Sequence, residues 1–380
     1  MDSNNTKYRN VLLVSEYFHP HWTGLAKSLL NLAVSLTKEG RRVDVLTTRF
    51  LSELPKTESY KNITIYRSAA LFKISRTHYS LSLIFDFYRL VKNYDLVIVN
   101  SPLSNILFVS LLTKLFRKKL CVLHQGDLIL PKKTGSPIFG FIIEKIFDLC
   151  TICSMQLADF VSTYTEDYAK NSRVLKYFIK KLRPVIPPLQ LSSNPPSPEF
   201  VSLIKSIAER RILVGFAGRF VEEKGFDILL QAIPSVAEKM PQVKFVFAGE
   251  ANVAYEKFYE YNSDLINKNK EYVEILGLLN DENLAFFYST LSAFVISSRS
   301  DCFALTQIEA VLSNVPIIVT DIPGARMLVR SSGYGEIARP EDPHSLAEAI
   351  LKILTKHQDY SSYQVEAVKY LKRYERLELN

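Results

Sequence analysis

Short runs of β-branched and leucine residues alternate along the chain with amphipathic stretches of helical length. In the first half the runs fall at residues 11–15, 43–47, 63–66, 96–100, 120–124 and 160–163. Continuous apolar runs that short, bounded by polar or turn residues, predict strands buried on both faces, and their alternation with helices predicts that they lie parallel. Residues 26–38 show the intervening pattern: Leu29, Leu30, Ala33, Val34 and Leu36 fall on one helical face, and Gly40 supplies a stop signal. The expected product is a Rossmann-like layer.

The alternation stops near Val185 and restarts near Arg211. The interval 184–198 holds Pro184, Pro187, Pro188, Pro195, Pro196 and Pro198, with Ser192, Ser193 and Asn194 among them, which is linker composition. Beyond it, strands are predicted at 212–217, 243–248, 272–276, 293–296 and 315–319, and helices at 227–239, 283–291 and 303–312. The fold class is therefore α/β, with two doubly wound Rossmann-like domains. We place them at 1–190 and 191–360, with a C-terminal helix over 361–380 expected to pack back on the first domain. Ligands of open parallel sheets bind beyond the carboxyl ends of the strands, so two such domains facing each other would hold their chemistry in the cleft between them.

With 380 residues the chain can build two cores, and 47% hydrophobic against 23% charged residues excludes disorder as its main state. Cys150 and Cys153 form one CxxC without a second pair, which argues against zinc and for a reducing cytoplasm. The longest apolar stretch, 105–116, is interrupted by Lys114, so no membrane span is expected. The polar opening 1–7 lacks the features of a secretory signal.

Charge divides the chain. Residues 1–190 carry a net of +13 and the remainder −5. A basic half is expected to meet an anionic partner, and Lys114, Arg117, Lys118, Lys119, Lys132 and Lys133 are its densest cluster. An anionic membrane surface ranks above nucleic acid, for which no recognition motif is present. The stretches 79–92 and 104–119 read first as core helices. Exposed, either would lie on an anionic bilayer, making the protein peripheral at the inner face of the plasma membrane.

Two constellations carry candidate chemistry. In the first, a predicted strand runs into Gly218 and Arg219, and Lys224 precedes Gly225 at the start of a helix. Small residues allow close backbone approach, and Arg and Lys five apart on one loop can converge on a diphosphate, although such a loop alone is often a solvated turn. In the second, Asp301 and Glu309 flank Phe303, Ala304 and Leu305 after a predicted strand. Eight residues is about two helical turns, which sets both carboxylates on one face, and a loop feeding a helix offers backbone N–H groups to phosphate or sugar oxygens. The plain alternative is a helix-capping Asp301 and a surface Glu309.

Taken in order, these constellations with Gly249, Gly277 and the run Val315-Pro316 to Pro323-Gly324 resemble the C-terminal domain of the retaining family 4 glycosyltransferases, also called glycosyl transferases group 1. The likeness extends through Pro20-His21-Trp22-Thr23-Gly24 and His124-Gln125-Gly126-Asp127 in the first half. It implies the GT-B fold and a nucleotide-sugar donor, UDP- or GDP-linked, held mainly by the second domain. It also implies an acceptor held by the first domain and no metal or separate cofactor. Residue by residue, Arg219 and Lys224 are implied to neutralise the diphosphate, with Gly218 and Gly277 in the donor loops. Glu309 is implied to bind ribose and Asp301 the donor-sugar hydroxyls, with the N–H groups of Phe303, Ala304 and Leu305 completing the cradle. Gly24 resembles the second glycine of a loop that approaches the diphosphate, and His124 the histidine near the reacting sugar.

Five positions depart from that pattern: Asp301 for Glu, Ala304 for Gly, Thr23 for Gly, Asn314 for Gly and Met327 for an acidic residue. They bear on which sugar is moved. The implied reaction breaks the anomeric bond to the diphosphate through an oxocarbenium-like state, with two fixed cations where other enzymes use a metal. His124 would then orient or polarise rather than abstract a proton. The expected function is transfer of a hexose-type sugar to a saccharide or lipid-linked acceptor. The alternatives are a catalytically silent nucleotide- or carbohydrate-binding regulator and a nucleotide-sugar epimerase. No glycine-flanked serine nucleophile and no metal-ligand spacing competes with this reading.

Overall fold

In the computed structural model, which describes residues 7–21, 23–74, 77–130, 137–251, 253, 256–356 and 360–379, the chain forms two units. They comprise Met1–Pro188 with Tyr374–Asn380, and Leu189–Arg373. Trp22, Lys132 and Lys133 lie outside the described residues.

The first unit is built on β1 (Asn10–Ser15), β2 (Arg42–Arg49), β3 (Thr57–Tyr60), β4 (Ile63–Ala69), β7 (Leu96–Ser101), β8 (Lys119–His124) and β9 (Phe160–Ser162), with a separate hairpin of β5 (Phe72–Ile74) and β6 (Thr77–Tyr79). The sheet order is β3-β4-β2-β1-β7-β8-β9, parallel except where β3 runs against β4. Its helices are α1 (Gly24–Lys38), α2 (Ser82–Leu90), α3 (Ile106–Leu115), α4 (Pro137–Leu157) and α5 (Glu166–Asn171). The apolar runs bury on both faces as the pattern requires: Val11, Leu13, Val45, Ile98 and Cys121 pack with Leu29, Leu32 and Leu36 of α1. The helices at 79–92 and 104–119 are only half core. Leu83, Phe87, Ile106 and Val109 are buried, but Leu81, Phe85, Tyr88, Phe108, Leu111 and Leu115 are exposed.

In the second unit α6 (Pro198–Ala208) starts where the proline run ends, with Pro198 in the first helical turn and the Ser197 hydroxyl accepting from the Phe200 N–H. The strands β10 (Ile212–Ala217), β11 (Val243–Ala248), β12 (Val273–Gly277), β13 (Ala293–Ile296), β14 (Ile317–Thr320) and β15 (Gly335–Ala338) form an all-parallel sheet ordered β12-β11-β10-β13-β14-β15. Around it lie α7 (Phe226–Lys239), α8 (Phe258–Tyr261), α9 (Ser263–Lys268), α10 (Asp281–Ser289), α11 (Leu305–Leu312), α12 (Arg326–Ser332), α13 (Pro343–Thr355) and α14 (Ser361–Arg373). Phe216, Phe220, Phe226, Phe245, Phe247 and Phe258 are all buried in one cluster, and the rings of Phe220 and Phe226 stack at 4.7 Å. Each such ring contributes on the order of 2 kcal/mol by leaving water.

The expected C-terminal helix forms as α14, which lies against α11 and α12, burying Ala367 and Leu371, and Gln364 donates to the Val311 carbonyl at 2.8 Å. The segment after it belongs to the first unit. There the Ile186 N–H donates to the Tyr374 carbonyl and Arg183 to the Glu378 carbonyl, and Leu377 and Leu379 enter the core beside Val11. An amphipathic helix shows that one face is buried without showing against what.

Candidate active site

The strand order of the second unit reverses between β10 and β13: the chain adds β11 and β12 on one side of β10, then β13, β14 and β15 on the other. The carboxyl ends of the two strands at that reversal form the crevice where open α/β sheets bind ligands. Both candidate constellations leave from there. Gly218 and Arg219 follow β10, and Asp301 to Leu305 follow β13.

The two loops are joined by direct bonds. Lys224 Nζ donates to Asp301 Oδ2 at 2.6 Å, with the carboxylate nearly buried and the ammonium about one quarter exposed. The Ser297 hydroxyl donates to the Lys224 carbonyl and the Arg299 N–H to the Glu223 carbonyl. Arg299 then forks onto both oxygens of Asp227 at 2.8 Å and also reaches the Glu222 carbonyl and Glu341. Burial works against the Lys224 charge, but the Asp301 carboxylate outweighs it and holds the ammonium above its ordinary pKa. Gly225 has φ 63 and opens α7, and a Cβ there would collide with the Ser297 carbonyl oxygen. Any larger residue would part the two loops.

Asp301 does not cap α11: no side chain caps that helix, whose N-cap is Ala304. Glu309 is not a surface residue either. It is 5% exposed and accepts from the hydroxyl of the fully buried Tyr288 on α10 at 2.9 Å. Burial and then the neighbouring carboxylate push the Tyr288 phenol far above its usual range, so it remains a donor. The Ala304 N–H donates to the Gly324 carbonyl at 3.3 Å. The chain approaches closely at Gly324, where a Cβ would collide with the Asp301 carbonyl oxygen. Phe303 is buried and Leu305 begins α11. Gly277 ends β12, and its carbonyl accepts from the Gly249 N–H at 2.7 Å. Asn314 keeps the left-handed turn its position needs, at φ 57, a conformation Asn tolerates.

In the first unit the order reverses between β1 and β7. Gly24 is the first, exposed residue of α1 after β1, and the Thr23 hydroxyl is 3.0 Å from His21 Nδ1. His124 ends β8, is 2% exposed, and both its ring nitrogens are bonded: Nδ1 to the Ser101 hydroxyl at 3.2 Å and Nε2 to Asp127 Oδ1 at 3.0 Å. Asp127 also accepts from the Ser172 hydroxyl and the Arg173 N–H. Burial raises its pKa, but His124 and these donors outweigh that and hold it down to about 2.

Known families resolve what these loops belong to. The family described as Glycosyltransferase Family 4 matches residues 22–174, and that described as Glycosyl transferases group 1 matches residues 202–370. The chain belongs to the family 4 glycosyltransferases. An uncharacterized glycosyltransferase of Methanocaldococcus jannaschii is 23% identical over 87% of this glycosyltransferase and 85% of its own length. Mannosylfructose-phosphate synthase of Agrobacterium fabrum is 34% identical over 33% of the chain and 28% of its own. Among solved structures, sucrose-phosphate synthase from Thermosynechococcus elongatus superposes with a TM-score of 0.73 at 17% identity, covering 96% of this chain and 94% of that one. Anabaena HepE in complex with UDP and glucose superposes with a TM-score of 0.73 at 16% identity over 96% and 95%. The fold is that of the GT-B glycosyltransferases, with two Rossmann-like domains.

Sequence reasoning missed two residues of this candidate site. Arg299, which fastens its two loops together, carries no motif signal in Ser298-Arg299-Ser300. Gln307, fully buried in the same helix as Glu309, makes no side-chain hydrogen bond to the described residues. Among the described residues no group of His, Cys, Asp and Glu is arranged to hold a metal, and Cys150 and Cys153 lie along α4 as free thiols.

Proposed function

We propose that this glycosyltransferase moves a hexose-type sugar from a UDP- or GDP-sugar to a saccharide or lipid-linked acceptor, with retention and without a metal. The observation that carries the reading is the Lys224–Asp301 pair at the strand reversal, with Arg219 in the same loop. As the anomeric bond breaks, charge grows on the leaving diphosphate. Preorganised cations there stabilise that charge with no reorganisation, the service a divalent ion performs elsewhere. Asp301, holding Lys224 on one oxygen, would meet sugar hydroxyls with its remaining acceptor capacity, and Glu309, oriented by Tyr288, would accept from ribose. That HepE has been solved with UDP and glucose supports a nucleotide-sugar donor. Because both nitrogens of His124 are committed to protein partners, we assign it to positioning the Gln125–Asp127 loop at the end of β8.

The test is a thermal-shift screen against UDP, GDP, ADP and their sugars. A nucleotide bound at one hundred times its dissociation constant adds roughly 2.7 kcal/mol to stability. Product anomers read by NMR then decide retention, and turnover in excess chelator decides metal independence. No shift with any nucleotide would sink the donor assignment.

A further inference from the structure

We propose that the outer face of α2, α3 and α4 docks the protein on an anionic bilayer surface. Each helix turns an apolar stripe to solvent at helical spacing: Leu81, Phe85 and Tyr88 on and before α2, and Phe108, Leu111 and Leu115 on α3. On α4 the stripe is Ile138, Phe141, Ile142, Ile146 and Leu149, with Lys145 among them. The helices are neighbours in space. Helix α3 packs on α2 and α4, and the rings of Tyr88 and Phe116 meet edge-on at 5.4 Å. A contiguous apolar surface on three helices is far more than scattered exposure on a monomer requires.

Charge selects the occupant. The three acids carried by these helices all turn inward to protein partners: Asp86 accepts from Ser68, and Glu144 and Asp148 hold Arg173. The exposed charges left on the face are cationic. Arg89, Lys92, Arg117 and Lys145 are exposed, while Lys114 and Lys119 are partly neutralised by Asp159. Lys92 Nζ stands 5.4 Å from the Tyr88 ring and 5.6 Å from that of Phe116, and Lys145 Nζ stands 5.3 Å from Phe141. An aromatic body beside a cationic tip suits the boundary between acyl chains and anionic headgroups. A second copy of the chain would set cation against cation. Among the described residues no helix is long and apolar enough to cross a membrane, so the face lies on the bilayer rather than through it.

The experiment is flotation of the full chain with vesicles of phosphatidylcholine alone and of equimolar phosphatidylcholine and phosphatidylglycerol. Recovery is expected with the anionic vesicles only, and release in high salt. Each basic residue near such a surface contributes about fivefold to partitioning, so Lys92→Gln with Lys145→Gln is expected to lower it ~25-fold. Ile142→Glu with Phe108→Glu is expected to abolish it. Equal recovery on both vesicles, none on either, or recovery unchanged in the variants would overturn the proposal. So would a dimer in sedimentation that Ile142→Glu dissociates while flotation persists. The nucleotide thermal shift, measured on the same variants, separates this proposal from the donor reading, because that shift depends on the second unit and should survive in all of them.

Discussion

Lys224 Nζ and Asp301 Oδ2 lie 2.6 Å apart although 77 positions separate them in the chain. Each is the charged tip of a loop leaving one of the two strands at the sheet reversal, so on the proposed reading the pair would tie the diphosphate-side cation to the sugar-side carboxylate. Removing either therefore disturbs both. We expect Lys224→Ala or Arg219→Ala to lower turnover by ~10²–10³, the loss typical of one preorganised donor at a developing anion. Asp301→Asn is expected to lower kcat while keeping the fold, because Lys224 loses its fixed position. Steady-state kinetics with circular dichroism checks this, and near-normal kcat in all three variants would exclude the diphosphate role.

Glu309→Ala is expected to weaken donor binding more than it lowers kcat, since its proposed role is at the ribose. It also strands the buried Tyr288 hydroxyl, a loss of about 1–3 kcal/mol of stability. Tyr288→Phe takes this donor from the nearly buried Glu309 carboxylate and should cost about 1.5–3 kcal/mol while leaving the carboxylate in place. Calorimetry separates the two effects. A deoxyribose nucleotide sugar competing as well as the ribose form would show that Glu309 does not read those hydroxyls.

The carboxylate of Asp127, about 12% exposed, sits near pKa 2 in the folded protein against an ordinary 3.8. A folded-state pKa below the unfolded one stabilises above the unfolded value and loses that stabilisation as pH falls through the folded one. The contribution, about 2 kcal/mol, should be complete above pH ~5 and fade towards pH ~2. Asp127→Asn is expected to lower Tm at neutral pH and to flatten this limb of the acid denaturation curve. An unchanged limb in the variant would refute the assignment.

Gly324→Ala would drive a methyl group into the Asp301 carbonyl oxygen. The backbone must shift, so we expect lower stability and a larger fall in kcat than in nucleotide affinity, because Asp301 moves while Glu309 does not. Equal losses in both would place the disturbance elsewhere.

The sheets were legible because both faces of each central strand are buried, which leaves an unbroken apolar run such as Val11 to Val14. The edge strand β3, Thr57–Tyr60, was not: its residues are half exposed and carry no such run. The candidate loops could be read locally, from glycine and charge around Gly218 to Gly225. Their mutual bonding could not, because Lys224–Asp301 and the Arg299 fork join residues far apart in sequence. The capping reading of Asp301 failed because α11 starts later, with Ala304 as its N-cap, and Asp301 holds Lys224 instead. Likewise the apolar spacing of 79–92 and 104–119 was plain, but a periodic stripe does not say whether protein or solvent covers it.

The return of residues 374–379 to the first unit makes the second unit an insertion within the first. Leu377 and Leu379 belong to the core that holds Val11 and Leu13, so that core has all its residues only after the entire second unit has been synthesised. Domains are usually expected to mature in the order of their synthesis. In this chain the later unit has its whole sequence first, while the core of the earlier one still lacks two of its leucines.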